Sequence, residues 1–183
     1  MEKILIMMVG LPRSGKSTQA MEIMEGALDY NRPNYTGRFT TIVCPDDIRL
    51  AMYGPTPFIA SLEPLVWATA KIMVNALFEK FDTVILDATN TTRRGRDEWI
   101  SDKWERQFIC FNTSRYECKN RAIDKGQNYL LDVIDRMFIG LDPITKEECH
   151  YRDFKDPFLW PSIELLRERE VFLEQMSKGK TNG

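Results

Sequence analysis

The run ILIMMVGLPRSGKST, Ile4 to Thr18, constrains this chain more than any other stretch. Six apolar residues lead into Gly10, and Gly15, Lys16 and Ser17 follow after four more positions. The spacing is G-x-x-x-x-G-K-[ST], a loop whose backbone amides wrap a polyphosphate. The apolar run has the continuity of a strand buried on both faces. After Ser17, the residues Ala20, Ile23, Met24, Ala27 and Leu28 recur at helical spacing. Successive N–H groups can turn inward only where the chain lacks bulk, which Gly10 and Gly15 provide. A helix starting near Lys16 directs its positive end at the phosphates. The pattern assigns Gly10, Leu11, Pro12, Arg13, Ser14, Gly15, Lys16, Ser17 and Thr18 to ATP binding. Lys16 then reaches the β- and γ-phosphates, and the Ser17 hydroxyl serves Mg²⁺. Arg13 puts a long side chain inside the loop and is expected to face solvent or the acceptor.

Further apolar runs alternate with helical spacing. Residues 39–44 (FTTIVC) read as a second strand, ended by Pro45. Asp46 and Asp47 open a short helix that stops at Gly54. Residues 63–80 read as a long helix whose apolar face is Leu65, Val66, Thr69, Ile72, Met73, Ala76 and Leu77. A third strand covers 82–87, a helix 93–105, and a fourth strand 107–112. This alternation implies right-handed parallel crossovers. The expected fold is α/β, a three-layer doubly wound parallel sheet of four to five strands. Helices follow from Ser114 and over 128–140. Residues 141–161 show no period, and their aromatics Tyr151, Phe154, Phe158 and Trp160 are expected to form an irregular cover. The expected organisation is one domain over 1–178, with a lid at about 114–140, the cover at 141–161 and a C-terminal helix at 162–178. Residues 179–183 are expected to be a tail.

With 183 residues, 43% of them hydrophobic, the chain has enough apolar material for one core. No apolar run approaches the roughly 18 residues of a membrane span, so no membrane partner is expected. Four cysteines without C-x-x-C spacing and one histidine, His150, argue against zinc. Reduced cysteines suit a cytoplasmic protein. A net charge of −2 argues against a sequence-independent duplex binder, though not against a local basic groove for a single-stranded end.

In such sheets ligands sit at the carboxyl ends of strands, and the remaining chemical candidates follow strands. Asp87 ends VILD and can hold Mg²⁺ directly or through water, or cap a turn. Asp46 can accept the proton of an acceptor hydroxyl, with Asp47 as the capping or supporting residue; the reverse assignment is open. Arg49, one turn on, can hold an anionic group of the acceptor. Arg121 and Lys125 lie one helical turn apart and can close over a transferring phosphate, or end a solvated helix. Arg93, Arg94 and Arg96, after Asn90, can guide a phosphodiester chain or form a solvated face.

Together these stations resemble the polynucleotide 5′-hydroxyl kinases of bacteriophages and the phosphate-loop kinases around them, over about residues 3–140. GLPRSGKST resembles the family's phosphate loop. PDDIR resembles its acid-acid-x-Arg element, which implies Asp46 as base and Arg49 on the acceptor phosphate. ILDATN resembles the family's strand-end segment before a basic helix, and Asn90 within it is a candidate substrate contact. E-x-x-x-R-x-x-x-[KR]-G resembles the lid helix, matched by Glu117, Arg121, Lys125 and Gly126. The best-known member carries arginine where this chain has Lys125, a weaker bidentate clamp. No D-x-D-x-[TV] motif follows residue 140, so 3′-phosphatase activity is not expected. If the chain is phage-encoded, the cytoplasm is the host's.

The resemblance implies an ATP- and Mg²⁺-dependent kinase acting on the 5′-OH of a DNA or RNA end. A kinase of a small metabolite, nucleoside or nucleotide fits the same chemistry, and a non-catalytic ATP-binding switch is a third reading. The residues do not set the oligomeric state.

Overall fold

The computed structural model describes residues 2–28, 39–55, 58–145, 148 and 158–180. The turn-rich stretch 29–38, Thr56 and Pro57, Cys149 to Phe154 and tail residues 181–183 lie outside the described residues. The chain forms two compact units. One takes the N-terminal residues to Met8, Lys16–Ala88 and Ser101–Ile109; the other takes Val9–Gly15, Thr89–Ile100 and Cys110 onward.

The first unit carries the sheet. Its strands β1 (Ile4–Val9), β2 (Thr40–Val43), β3 (Thr83–Leu86) and β4 (Glu105–Cys110) lie in the order β2-β3-β1-β4. β3 pairs in parallel with β1, from Ile4↔Thr83 to Met7↔Leu86, and with β2, from Thr40↔Thr83 to Val43↔Leu86. β4 runs the same way: the Glu105 N–H donates to the Lys3 carbonyl at 2.9 Å and the Phe111 N–H to that of Val9 at 2.8 Å, at one constant offset. The central strands are buried, Leu5, Met7, Met8 and Val9 in β1 and all four residues of β3. That is why they read as unbroken apolar runs. β4 is an edge strand, half-buried throughout, and starts two residues earlier than its apolar letters suggest.

Helices α1 (Lys16–Leu28), α2 (Pro45–Tyr53) and α3 (Glu63–Leu77) flank the sheet, so the expected α/β architecture with a four-stranded parallel sheet is present. From β1 the chain steps past β3 to β2, and from β3 it crosses β1 to β4. The reversal falls between β1 and β3, and ligands of doubly wound sheets sit beyond the carboxyl ends at that point.

The α3 face differs from expectation. Val66, Ala70 and Val74 are its buried residues, whereas Leu65, Ile72 and Met73 are exposed. The buried stripe runs at i, i+4, i+8, rotated around the helix from the face that the larger residues suggest. The helix also ends at Leu77, where a tight turn takes over through the Lys80 N–H to the Leu77 carbonyl at 3.0 Å.

The second unit holds α4 (Arg93–Asp97), α5 (Arg115–Asp124), α6 (Leu131–Ile139), the strands β5 (Ile144–Thr145) and β6 (Phe158–Trp160), and α7 (Ile163–Lys180). The helix expected over 93–105 is only α4. It contains Gly95, a poor helix former, and the Trp99 N–H closes onto the Arg96 carbonyl at 3.1 Å as Trp99 buries its ring. The segment 141–161 is not wholly irregular: β5 pairs antiparallel with β6, Ile144 opposite Trp160. Trp160 is fully buried, with its indole N–H on the Phe111 carbonyl at 2.9 Å. The 128–140 helix splits into a 3-10 turn, Asn128–Leu130, and α6.

Candidate active site

In the first unit the carboxyl end of β3 delivers Asp87, and the first residues of α1 are Lys16 and Ser17. Both Lys16 and Asp87 are buried, at 7% and 8% exposure. A buried lysine needs a compensating charge, and Asp87 lies within its electrostatic reach. The Asp87 carboxylate accepts a hydrogen bond from the Ser17 hydroxyl. Burial holds the Asp87 carboxyl above its ordinary value; Ser17 and Lys16 oppose that rise, and Asp46 and Asp47 add to it. The Cys44 thiol is pushed up to about 11, mainly by burial, with Asp87 and Asp47 contributing. The structure thus gathers Lys16, Ser17, Asp87 and the two acids at the start of α2 into one electrostatic neighbourhood.

Pro45 opens α2, its fixed φ suiting the first helical position. Asp46 and Asp47 occupy the first turn and are exposed. Arg49 is engaged by two carboxylates. Its Nε donates to Glu63 Oε1 at 2.7 Å, its Nη2 to Glu63 Oε2 at 2.5 Å and its Nη1 to Asp46 Oδ1 at 2.5 Å. The Glu63 hydrogen bond, with Asp46 beside it, holds the guanidinium pKa well above the usual arginine value. Glu63 carries no sequence motif and its role was not legible.

In the second unit the phosphate loop from Gly10 to Gly15 is packed by residues just beyond β4. A Cβ at Gly10 would lie 2.8 Å from Ser14 Oγ and 2.9 Å from Phe111 Cβ, so only glycine fits. Gly15 has φ +106, a conformation natural only to glycine. The Thr113 hydroxyl donates to the Ser14 carbonyl at 2.9 Å. Across that peptide the Gly15 N–H points the opposite way, as anion binding by such a loop requires. Ser14 is buried, while Leu11 is almost fully covered.

Arg13 has φ 67 and does not face solvent alone: its Nε donates to Gln127 Oε1 at 2.7 Å, and Nη2 reaches the same oxygen. Ser114 caps α5 by accepting the Glu117 N–H at 3.1 Å, and Glu117 pairs with Arg121 at 2.8 Å. The S-x-x-E letters could have announced this N-terminus. Arg121 Nη1 donates to the Arg13 carbonyl at 3.3 Å, which places this arginine on the phosphate loop. Lys125 is the C-cap of α5 and is exposed. Asn90 is buried, with φ 45, and its carbonyl accepts from Arg96 Nη1 at 3.2 Å.

Of the three arginines after Asn90, Arg93 and Arg94 are exposed and only Arg96 turns inward. Arg96 is fully buried, with Nε and Nη2 on Glu148 at 2.8 and 2.9 Å. Arg93 faces Asp97 at 3.7 Å. Among the described residues no group of three or more His, Cys, Asp or Glu side chains could hold a metal by itself. No described helix is long and apolar enough to cross a membrane.

A family model described as an AAA domain matches residues 5–138, most of the chain and every candidate residue in it. The chain belongs to this AAA-domain family. Its fold is that of the phosphate-loop kinases, a nucleotide-binding kinase-type domain. No curated protein sequence matches the chain. Among solved structures, a chain of the Pnkp1/Rnl/Hen1 RNA repair complex is 22% identical over 76% of this chain and 47% of that one, with a TM-score of 0.55. A chain of a second Pnkp1/Rnl/Hen1 complex structure is 26% identical over 66% of this chain and 39% of that one, with a TM-score of 0.54. This AAA-domain chain therefore spans less than half the length of these two solved chains.

Proposed function

We propose that this domain is an ATP- and Mg²⁺-dependent kinase that transfers the γ-phosphoryl group to a hydroxyl, the 5′-OH of a DNA or RNA end. One observation carries the reading: Asp87, at the end of β3, accepts from Ser17 beside Lys16, in the field of Asp46 and Asp47. A passive phosphate-binding switch has no use for those additional acids. A buried carboxylate and a hydroxyl are hard oxygen donors. They suit Mg²⁺, which takes one or two protein ligands and fills its shell with phosphates and water. Ser17 and Asp87 would hold the ion, and the bound ion would neutralise charge developing on the phosphates.

Lys16 places its ammonium on the β- and γ-phosphates. Asp46 takes the proton of the acceptor hydroxyl as the new P–O bond forms and the bond to the β-phosphate oxygen breaks. Arg49, held by Glu63, fixes the Asp46 carboxylate from one side. Arg121 and Lys125 supply cations from the lid to the transferring group. Asn90 and Asp47 stand as acceptor-side contacts. The solved chains in RNA repair complexes support a nucleic-acid acceptor. The small-molecule reading is the second one, and a specific observation favours it: Arg96 is buried and Arg49 is engaged by two carboxylates, which leaves fewer cations for a phosphodiester chain.

Transfer from γ-labelled ATP to a panel of 5′-OH oligonucleotides, nucleoside 3′-monophosphates, bare nucleosides and sugars tests both. The nucleic-acid reading expects the oligonucleotides and the 3′-monophosphates to be labelled far faster than the bare nucleosides. Equal labelling of nucleosides with and without the 3′-phosphate supports the small-molecule acceptor, and no labelled product at all overturns the kinase.

A further inference from the structure

Arg13 puts a long side chain inside the phosphate loop and adopts φ 67, a conformation that costs an ordinary residue energy. Strain of that kind persists when surrounding contacts hold it. Here both ends of Arg13 are held by the same helix terminus. Its guanidinium donates to Gln127 Oε1 through Nε at 2.7 Å, with Nη2 on the same oxygen. Its carbonyl accepts from Arg121 Nη1 at 3.3 Å.

The backbone after α5 explains how Gln127 reaches this position. Gly126 has φ 68, its N–H returns to the Ile123 carbonyl at 2.8 Å, and the Gln127 N–H returns to the Ala122 carbonyl at 2.8 Å. This double return is a Schellman ending, which fixes the residue after the glycine. Gln127 is therefore presented by a rigid cap rather than by a free loop. Arg121, one turn earlier, is steadied by Glu117 at 2.8 Å and sits with Nη1 4.0 Å from where a Gly15 Cβ would be.

We propose that Arg13 and Gln127 form a latch that seats the end of the lid helix on the phosphate loop, making both of them positioning residues for Arg121. The inference rests on the kinase reading for its catalytic part and on the geometry alone for the latch. The latch predicts that the cation is aimed before nucleotide arrives, so its loss is felt in turnover more than in ATP affinity.

The test uses Arg13→Gly, Gln127→Ala, their double variant and Gln127→Glu in the full chain. Arg13→Gly relieves the positive φ, so a merely structural Arg13 would leave activity intact and thermal stability equal or higher. The latch expects each of the first two variants to lose about 10- to 100-fold in kcat, the scale of a small misplacement, with KM for ATP nearly unchanged. The double variant should lose no more than the worse single one, and Gln127→Glu should keep most of the activity by pairing with Arg13. Unchanged kcat in the single variants, or losses that multiply in the double, overturns the positioning role. Hydrogen exchange of the protein without nucleotide reads the latch without turnover. Gln127→Ala should speed exchange at residues 11–15, and Arg13→Gly at residues 121–127; no change in either overturns the latch. A wild-type chain that phosphorylates nothing in the acceptor panel overturns the kinase reading, while the exchange result still decides the latch.

Discussion

Arg96→Met should be among the most damaging single changes outside the phosphate loop. The guanidinium is fully buried and divides its donors among Glu148, the Asn90 carbonyl and the Pro143 carbonyl. Glu148 is itself only 4% exposed. Methionine fills much of the space but leaves that carboxylate buried without its charge partner. Breaking a buried ion pair from one side costs about 3–5 kcal/mol. For a chain of this length each kcal/mol is about 2–4 °C in Tm, so the expected loss is roughly 6–20 °C. Removing both charges, as Arg96→Met with Glu148→Leu, takes away the stranded carboxylate. What remains is the loss at the Asn90 and Pro143 carbonyls and at the Thr145 N–H, which lies 3.4 Å from Glu148. At about 1 kcal/mol for each such net hydrogen bond, the double variant should still lose about 3 kcal/mol, up to about 2 kcal/mol less than the single one. Urea unfolding of the four proteins in a double-mutant cycle measures this directly. A single variant within 1 kcal/mol of wild type, or a double no better than the single, would refute a buried pair as the tie between the Asn90 loop and the segment before β6.

Three further expectations concern the site and the lid. ATP with Mg²⁺ at a hundredfold excess over Kd should stabilise the chain by about 2.7 kcal/mol, roughly 5–11 °C, and Lys16→Ala should remove most of that shift; an unshifted melting curve counts against nucleotide binding on the loop. Asp46→Asn should lower kcat by about 10² to 10⁴, the range of one general base, with Asp47→Asn costing much less; exchanged phenotypes would move the base to Asp47. For Asp135, burial alone would raise the carboxyl pKa, but hydrogen bonds from Arg115 and Lys119 outweigh it and hold it below the ordinary 3.8. The stability it lends is complete above that value and fades as pH falls through the lower folded one. Asp135→Asn should therefore lower Tm at pH 7, with the gap to wild type closing in strong acid; a gap that persists there would deny the link between α5 and α6 its electrostatic origin.

The sheet was legible because its inner strands are apolar on both faces. β1 carries no polar position and β3 only Thr83 at its start, and the G-x-x-x-x-G-K-[ST] letters mark where β1 must end. Legibility failed where packing rather than periodicity decides. In α3 the small residues Ala70 and Val74 face inward while Ile72, the larger apolar side chain, is 69% exposed. Counting apolar letters favours bulk, but a helix laid against a sheet can bury its thinner side. After α4 the chain turns on Gly95 and Trp99, and nothing in a helical count of residues 93–105 registers that a tryptophan is being buried. The short pair β5–β6 escaped because its strands, of two and three residues, are too brief to show alternation.

For the site the division is between motif and partner. Lys16, Ser17 and Asp87 follow from local letters, since strand end and loop bring each to its place. The partners of the cations do not. Arg49 finds Glu63, fourteen residues on, and Arg96 finds Glu148 across a separation of 52. Net charge cannot reveal such pairings, because a buried or bridged arginine counts the same as a free one. This bears on the acceptor. A phosphodiester approaching Arg49 competes with Glu63 and Asp46 for the guanidinium. Displacing Asp46 would free the carboxylate proposed to take the proton, so an acceptor carrying a phosphate would bind and unmask that base in one step. A bare hydroxyl has no anion with which to do this. On that argument the Arg49 pairing, which at first counts against a nucleic-acid acceptor, supplies a way for such an acceptor to be preferred in kcat rather than in binding. The ratio of kcat for a nucleoside 3′-monophosphate to kcat for its bare nucleoside measures that preference.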